Sequence, residues 1–200
     1  MRASHIFAVL FGGLAAAFPF VAIKRAGEVD AQSAIEAIMP TSNTCSGAQF
    51  PDECRTAAQA ASYIITSLTG YSYGQIAAML ALMGYESADM KYKHNVFPGT
   101  PGQGTANMMM PNFVAGYAES IKPGSTADKT PAEILAMVTP DEHNFGSAAW
   151  YIKTTCPGVM DGLTTGSNDS WNAYMECISV SGTDEGRLAY WNRAKSVFGL

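Results

Sequence analysis

Glu86 closes the apolar run Leu80-Ala81-Leu82-Met83-Gly84-Tyr85 and is the side chain in this sequence best placed for acid–base chemistry. Ile76, Met79, Leu80 and Met83 fall at i, i+3, i+4 and i+7, one stripe of an α-helix. A carboxyl on the last turn of a buried helix is partly desolvated and faces the negative end of the helix dipole. Both effects disfavour its charged form and raise its pKa, which is what a general acid working near neutral pH needs. The plainer reading is a solvated glutamate at a helix end. Asp89, three residues on, is the candidate second carboxylate of the same site. Asp141 and Glu142 read as solvated or capping residues. Met108, Met109 and Met110 read as core filler or cleft wall. His5, His94 and His143 are far apart and no Cys/His spacing suggests zinc, so neither a metal nor a cofactor is expected.

The elements that would position these groups are helical. Asp52 is a candidate N-cap for a helix through Leu68, rich in alanine and ended by Gly70. Ser72 caps the next helix, which runs to about Tyr85. Residues 91–107 lack periodicity, and Pro98-Gly99, Pro101-Gly102 and Gly104 mark a long irregular loop. A loop of that length inside a compact domain is more often functional than decorative. Pro111 opens a helix to about Ile121. Thr130-Pro131-Ala132-Glu133 has the N-cap, the N1 proline and the N3 glutamate of a helix start, running to about Val138. Further helices are expected from about Asn144 to Thr155, from Ser167 to Cys177, and from Asp184 to Phe198. No alternating strand is evident. The fold class is mainly α, a single domain, with room for a small β-hairpin at 91–107 beside the cleft.

Composition bounds what such a domain does. The chain has 200 residues, 48% of them apolar and 14% charged, with a net charge of −5. That describes a globular chain with a core, and the acidic balance without a basic cluster argues against nucleic acid as a partner. Arg2 followed by the apolar stretch from Ile6 to Phe20 reads as a secretory signal, too short for a membrane span. Lys24-Arg25 resembles a dibasic processing site. The expected organisation is therefore a signal and processing site over 1–25, a pro-peptide or loose N-terminal arm over 26–43, and a catalytic domain over 44–200. The mature chain is expected to be extracellular, monomeric and free of the membrane. Cys45, Cys54, Cys156 and Cys177 are an even set in a secreted chain. Three pairings are open in principle, and proximity favours Cys45–Cys54 and Cys156–Cys177. Asn168-Asp169-Ser170 is an N-glycosylation sequon.

Three patterns, in order, are similar to the lysozyme-like superfamily, in particular its goose-type lysozyme and soluble lytic transglycosylase branch. Glu86-Ser87 resembles that family's Glu-Ser motif at the end of an apolar helix. Gly104-Thr105-Ala106-Asn107-Met108-Met109-Met110-Pro111 resembles its Gly-Leu-Met-Gln-x-Met-Pro stretch, with Met108 where the glutamine belongs. Asn144-Phe145-Gly146-Ser147-Ala148-Ala149-Trp150-Tyr151-Ile152 resembles its Asn-Ile-x-x-Gly-x-x-Tyr-Leu helix, with Ala148 in place of the glycine. The likeness covers about residues 52–155, and the whole chain also resembles secreted fungal proteins of the muramidase type.

The resemblance implies a lysozyme-like domain that cleaves the β-1,4 bond between N-acetylmuramic acid and N-acetylglucosamine in peptidoglycan, with Glu86 as general acid. It implies substrate contacts from Ser87, Asn144 and Tyr151, with Gln103 or Asn107 standing in for the missing glutamine. Ser87 reads equally as a helix C-cap, Asn144 as an N-cap and Tyr151 as a core tyrosine. Trp150, Trp171 and Trp191 suit sugar stacking, although helical aromatics are more often core. Hydrolysis and transglycosylation both remain open. The alternatives are a chitinase or chitosanase, or a secreted glycan-binding effector without activity.

Overall fold

A computed structural model describes residues 30–200, so the expected signal and the Lys24-Arg25 site lie outside the described residues. The described chain is mainly helical, with ten α-helices and a short 3₁₀ turn at Pro157–Val159. In chain order they are α1 (Ala31–Ile38), α2 (Ala57–Leu68), α3 (Tyr73–Glu86), α4 (Pro111–Ile121), α5 (Pro131–Val138), α6 (Asp141–Asn144), α7 (Ser147–Thr155), α8 (Met160–Leu163), α9 (Asn168–Cys177) and α10 (Glu185–Phe198). Local chemistry sets most of their starts. Thr56, Ser72 and Thr130 form capping boxes with Gln59, Gln75 and Glu133, and Asp30, Ser167 and Asp184 cap α1, α9 and α10.

The centre of the molecule is α3. Every residue from Gly74 to Gly84 except Ile76 is buried, and a helix apolar on all sides belongs inside a core. α10 lies along it at close range. A Cβ added at Gly84 would come within 2.7 Å of the Tyr190 ring and 2.8 Å of Met39, so only glycine fits that crossing. α9 joins α10 through Trp171 and Trp191, both fully buried and stacked at 5.1 Å. Two disulfides, Cys45–Cys54 and Cys156–Cys177, close the pairs that proximity favours.

Several expectations are corrected. Residues 31–39 are not a loose arm: Ile35, Ile38 and Met39 are buried in the core, and Arg193 donates to the Ile38 carbonyl at 2.8 Å. Asp52 does not cap α2. Cys54 is held in its bridge and the Arg55 amide donates to the Met90 carbonyl, which delays the helix until Thr56. The Asn144 helix is broken in two. The His143 carbonyl accepts from the Gly146 amide, three residues on, and from the Tyr117 hydroxyl, which interrupts the helical ladder. Residues 91–107 contain no strand pair. Isolated bridges join His94 to Gly104 and Gly104 to Met109.

Candidate functional site

Glu86 is the last residue of α3 and stands on the floor of a groove of about 430 Å³. Met108, Met109, Met110, Phe113, Tyr151, Ile178 and Val180 line it. The loop that brings the methionines there is tightly folded. Gly104 and Met109 exchange both backbone hydrogen bonds, and Thr105 and Met108 take left-handed backbone angles, φ 70° and 44°. Gly104 allows this turn because a Cβ there would sit 2.3 Å from the Lys93 carbonyl oxygen.

The Glu86 side chain is 23% exposed. Desolvation by burial pushes its pKa above the usual carboxylate value, and the hydrogen bond and charge of Arg187 oppose that without cancelling it. Arg187 donates from Nη2 to Oε1 of Glu86 at 3.1 Å, with its guanidinium over the Tyr85 ring at 4.4 Å. Its Nε is buried without a partner, as are the Asn107 Oδ1 and the Tyr174 hydroxyl. Tyr174 is wholly buried and its hydroxyl pKa is driven up first by that burial, then by the nearby Tyr151 and Glu86.

The structure brings Glu86, Gln103, Asn107 and Tyr151 to this one groove. Gln103 is held by Asn95, which donates to its Oε1 at 2.6 Å, and Gln103 donates in turn to the Met108 carbonyl. Tyr151 is buried edge-on against Phe113 at 4.9 Å, and Glu86 is bonded to Arg187 rather than to it. The other expected contacts are structural. Ser87 is fully buried; its hydroxyl donates to the Met83 carbonyl and accepts from the Met90 amide, a C-cap role. Asn144 is buried behind the wall, where its Oδ1 accepts from the Ala106 amide at 2.9 Å and supports the methionine loop from below. Asp89 does not line the groove. It is buried and accepts from the Thr41 amide, the Thr41 hydroxyl and the Tyr190 hydroxyl at 2.6–2.8 Å.

Trp171 and Trp191 are core residues, and Trp150 packs on Tyr117 at 5.3 Å. Asn168 is exposed at the start of α9, with its Oδ1 accepting from Trp191 Nε1 and Lys195 Nζ. Asp141 is tied to Arg55 and Lys93 at 2.6 Å. Burial alone would raise its pKa, but those two cations hold the carboxyl below the usual range. Arg187 is the site residue that sequence reading missed. It lies 101 residues from Glu86, and no local pattern marks that pairing. Among the described residues no group of three or more His, Cys, Asp or Glu side chains could hold a metal ion, and no helix is long and apolar enough to cross a membrane.

No family model matches the chain, and no solved structure matches it. Among curated proteins it is similar to a bifunctional dioxygenase (DOX)–epoxy alcohol synthase (EAS) of Fusarium oxysporum (strain Fo5176), 43% identical over 159 residues. The match takes in 71% of this chain, and the chain spans 12% of that protein's length. This overturns the expectation of a secreted muramidase and with it the reading as a cell-wall hydrolase, since the relative is no glycosidase. The chitinase, chitosanase and glycan-binding alternatives fall with it. The physical reason lies in the residues that carried the likeness. Ser87 caps a helix, Asn144 supports a loop and Met108 fills the place of the polar glutamine. Short patterns of that kind record how a helix ends and how a loop is held, and they specify no substrate.

Proposed function

We propose that the Glu86 groove is an acid–base site for a largely apolar ligand that carries an oxygen function, and that the chain works as an enzyme or as one module of a larger one. The observation that carries this reading is a single carboxyl, raised in pKa by burial, on the floor of a groove lined mainly by methionine, aromatic and aliphatic side chains, with Gln103, Asn107 and Arg187 among them. Such a wall receives an alkyl body, and a carboxyl that holds its proton longer than usual gives one to an oxygen. The name of the relative supplies a ligand class, the epoxy alcohol. Opening an epoxide needs this acid: Glu86 gives its proton to the ring oxygen as a ring C–O bond breaks, while water adds to the carbon and releases a proton. Arg187 then faces the carboxylate left behind and stabilises it.

The helix-ending Glu86, the loop above it and the Asn144 turn behind it support a lysozyme-like arrangement of the fold, and a fold of that kind carries unrelated chemistries. Export of the chain is supported by the apolar N-terminal stretch and by two disulfides, which persist in oxidising compartments. The test is turnover of an epoxydecanol by the purified chain, followed by mass spectrometry of the decanetriol that water addition produces. Wild type is expected to form it, and Glu86→Gln, which keeps the shape and removes the acid, to be slower by at least ~10²-fold. Equal rates for the two proteins would refute the role of Glu86.

A further inference from the structure

The Glu86 groove continues into a second basin of about 380 Å³ that shares Glu86, Gln103 and Met108 with it. His94 lines this basin, together with Tyr92, Val96 and Phe97. The imidazole is held from several sides. Its Nδ1 lies 2.6 and 2.7 Å from the two oxygens of Glu53, and the ring of Phe50 meets it edge-on at 4.9 Å. The backbone is fixed as well, by the bridge to Gly104 and by the Lys93 amide, which donates to Glu53 Oε2 at 3.0 Å. A carboxylate on Nδ1 selects the tautomer with the proton there and leaves Nε2 as an acceptor in the neutral ring. His94 is about one-third exposed, so it is open to the basin rather than sealed in the core.

We propose that His94 is a second proton-transfer residue of the Glu86 site, a general base aimed by Glu53. It rests on the reading of Glu86 as the acid of an oxygen-bearing ligand. In the opening of an epoxide, water held between the two ends of the groove loses a proton to His94 Nε2 as its oxygen forms the new C–O bond. The ring C–O bond breaks, and its electron pair goes to the ring oxygen, which takes the proton of Glu86. One water is consumed, the epoxide becomes a vicinal diol, so that an epoxy alcohol leaves as a triol, and no redox change occurs. His94 then releases its proton to solvent and Glu86 recovers one. Glu53 does not touch the ligand and is a positioning residue.

The charged and titratable groups around the pair are specific. Glu53 and Tyr92 stand beside His94, and Asp52, Arg55 and Lys93 share the cavity on its other side, where Asp141 is ion-paired to both cations. Arg187, Asp184, Tyr85 and Tyr174 act around Glu86.

The test is a titration of the full chain with an epoxydecanol, followed by NMR of the labelled Met108, Met109 and Met110 methyls and of the His94 ring nitrogens. The proposal expects the free protein to carry its neutral-ring proton on Nδ1, with both the methyls and Nε2 shifting on binding. In Glu53→Gln the ring nitrogens should move toward a mixture of tautomers, and Glu53→Asp should restore the wild-type pattern in part. Methyls that shift while His94 stays silent would overturn the role of His94 and leave the Glu86 reading standing. Silence of both would overturn both. Turnover adds a second arm: His94→Gln should lose at least ~10-fold in kcat with KM little changed. A His94→Gln kcat identical to wild type would refute the proposal.

Discussion

Removing the Asp89 carboxylate should unfold this protein far more readily than it should slow any reaction. The carboxylate is buried and receives three donors, the Thr41 amide at 2.8 Å, the Thr41 hydroxyl at 2.7 Å and the Tyr190 hydroxyl at 2.6 Å. It ties the segment after α1 to α10 across the end of α3. A hydrogen bond to a charged group contributes roughly 1.5–3 kcal/mol, and bonds that share one acceptor do not add fully. Asp89 also sits at φ 59°, between Ala88 at 50° and Met90 at 65°, a left-handed region that aspartate and asparagine adopt more readily than alanine. Asp89→Ala should therefore cost about 3–5 kcal/mol, a large part of the roughly 5–15 kcal/mol that holds an ordinary domain together. Asp89→Asn keeps the backbone preference and one acceptor oxygen, so it should cost about half as much and isolate the part due to charge. The assay is equilibrium unfolding in urea, with Thr41→Ala and the double variant completing a cycle. A cost below about 1 kcal/mol for Asp89→Ala would refute the role as a lock. A loss of turnover in a fully folded Asp89→Asn would return this residue to the active site.

Other outcomes follow from the same geometry. Arg187→Met removes the counterweight to burial, so the Glu86 pKa should rise further above its ordinary value of 4.5. A folded pKa above the unfolded one gives stability that is present below the ordinary value and lost as pH rises through the folded one. Denaturation curves of this variant should weaken more steeply toward neutral pH than wild type, and Glu86→Gln should abolish that slope. Replacing Cys156 and Cys177, which lie 21 residues apart in the chain, by serine should lower stability by about 3 kcal/mol in thermal melts, whereas an unchanged melt would mean that the bridge holds nothing. Gly84→Val should separate α3 from α10, since even a Cβ there meets the Tyr190 ring at 2.7 Å; near-wild-type stability would contradict that packing.

What the sequence made legible follows from which signals are local. The caps at Ser72, Thr130, Ser167 and Asp184 are each settled within four residues, and those helices begin where the residues say. The burial of α3 is written in its unbroken apolar character. The pairing of cysteines follows from short spacing. Long-range events left no such trace. The delay of α2 to Thr56 depends on the Cys54 bridge and on Met90, and the break after Asn144 depends on the Tyr117 hydroxyl. Asp89 reads as a companion of Glu86 from its spacing, yet the left-handed backbone after Ser87 turns it toward Tyr190 instead. Arg187, Glu53 and His94 come together with their partners over separations of 41 to 101 residues. Function was least legible, because the Glu-Ser, methionine and asparagine patterns that resembled a lysozyme are largely explained by capping and loop support.

The ionisation of Glu86 itself tests the account most directly. Titration of its carboxyl carbon by NMR, in the wild-type chain with free and ligand-filled groove, reads that ionisation without relying on turnover. The account predicts a midpoint above the ordinary glutamate value of 4.5 in the free protein, because burial outweighs Arg187. It predicts a further rise when an epoxydecanol fills the groove and removes more water from the carboxyl. A midpoint at or below the ordinary value that does not move with ligand would contradict it, leaving Glu86 as the acidic half of an ion pair with Arg187 and nothing more.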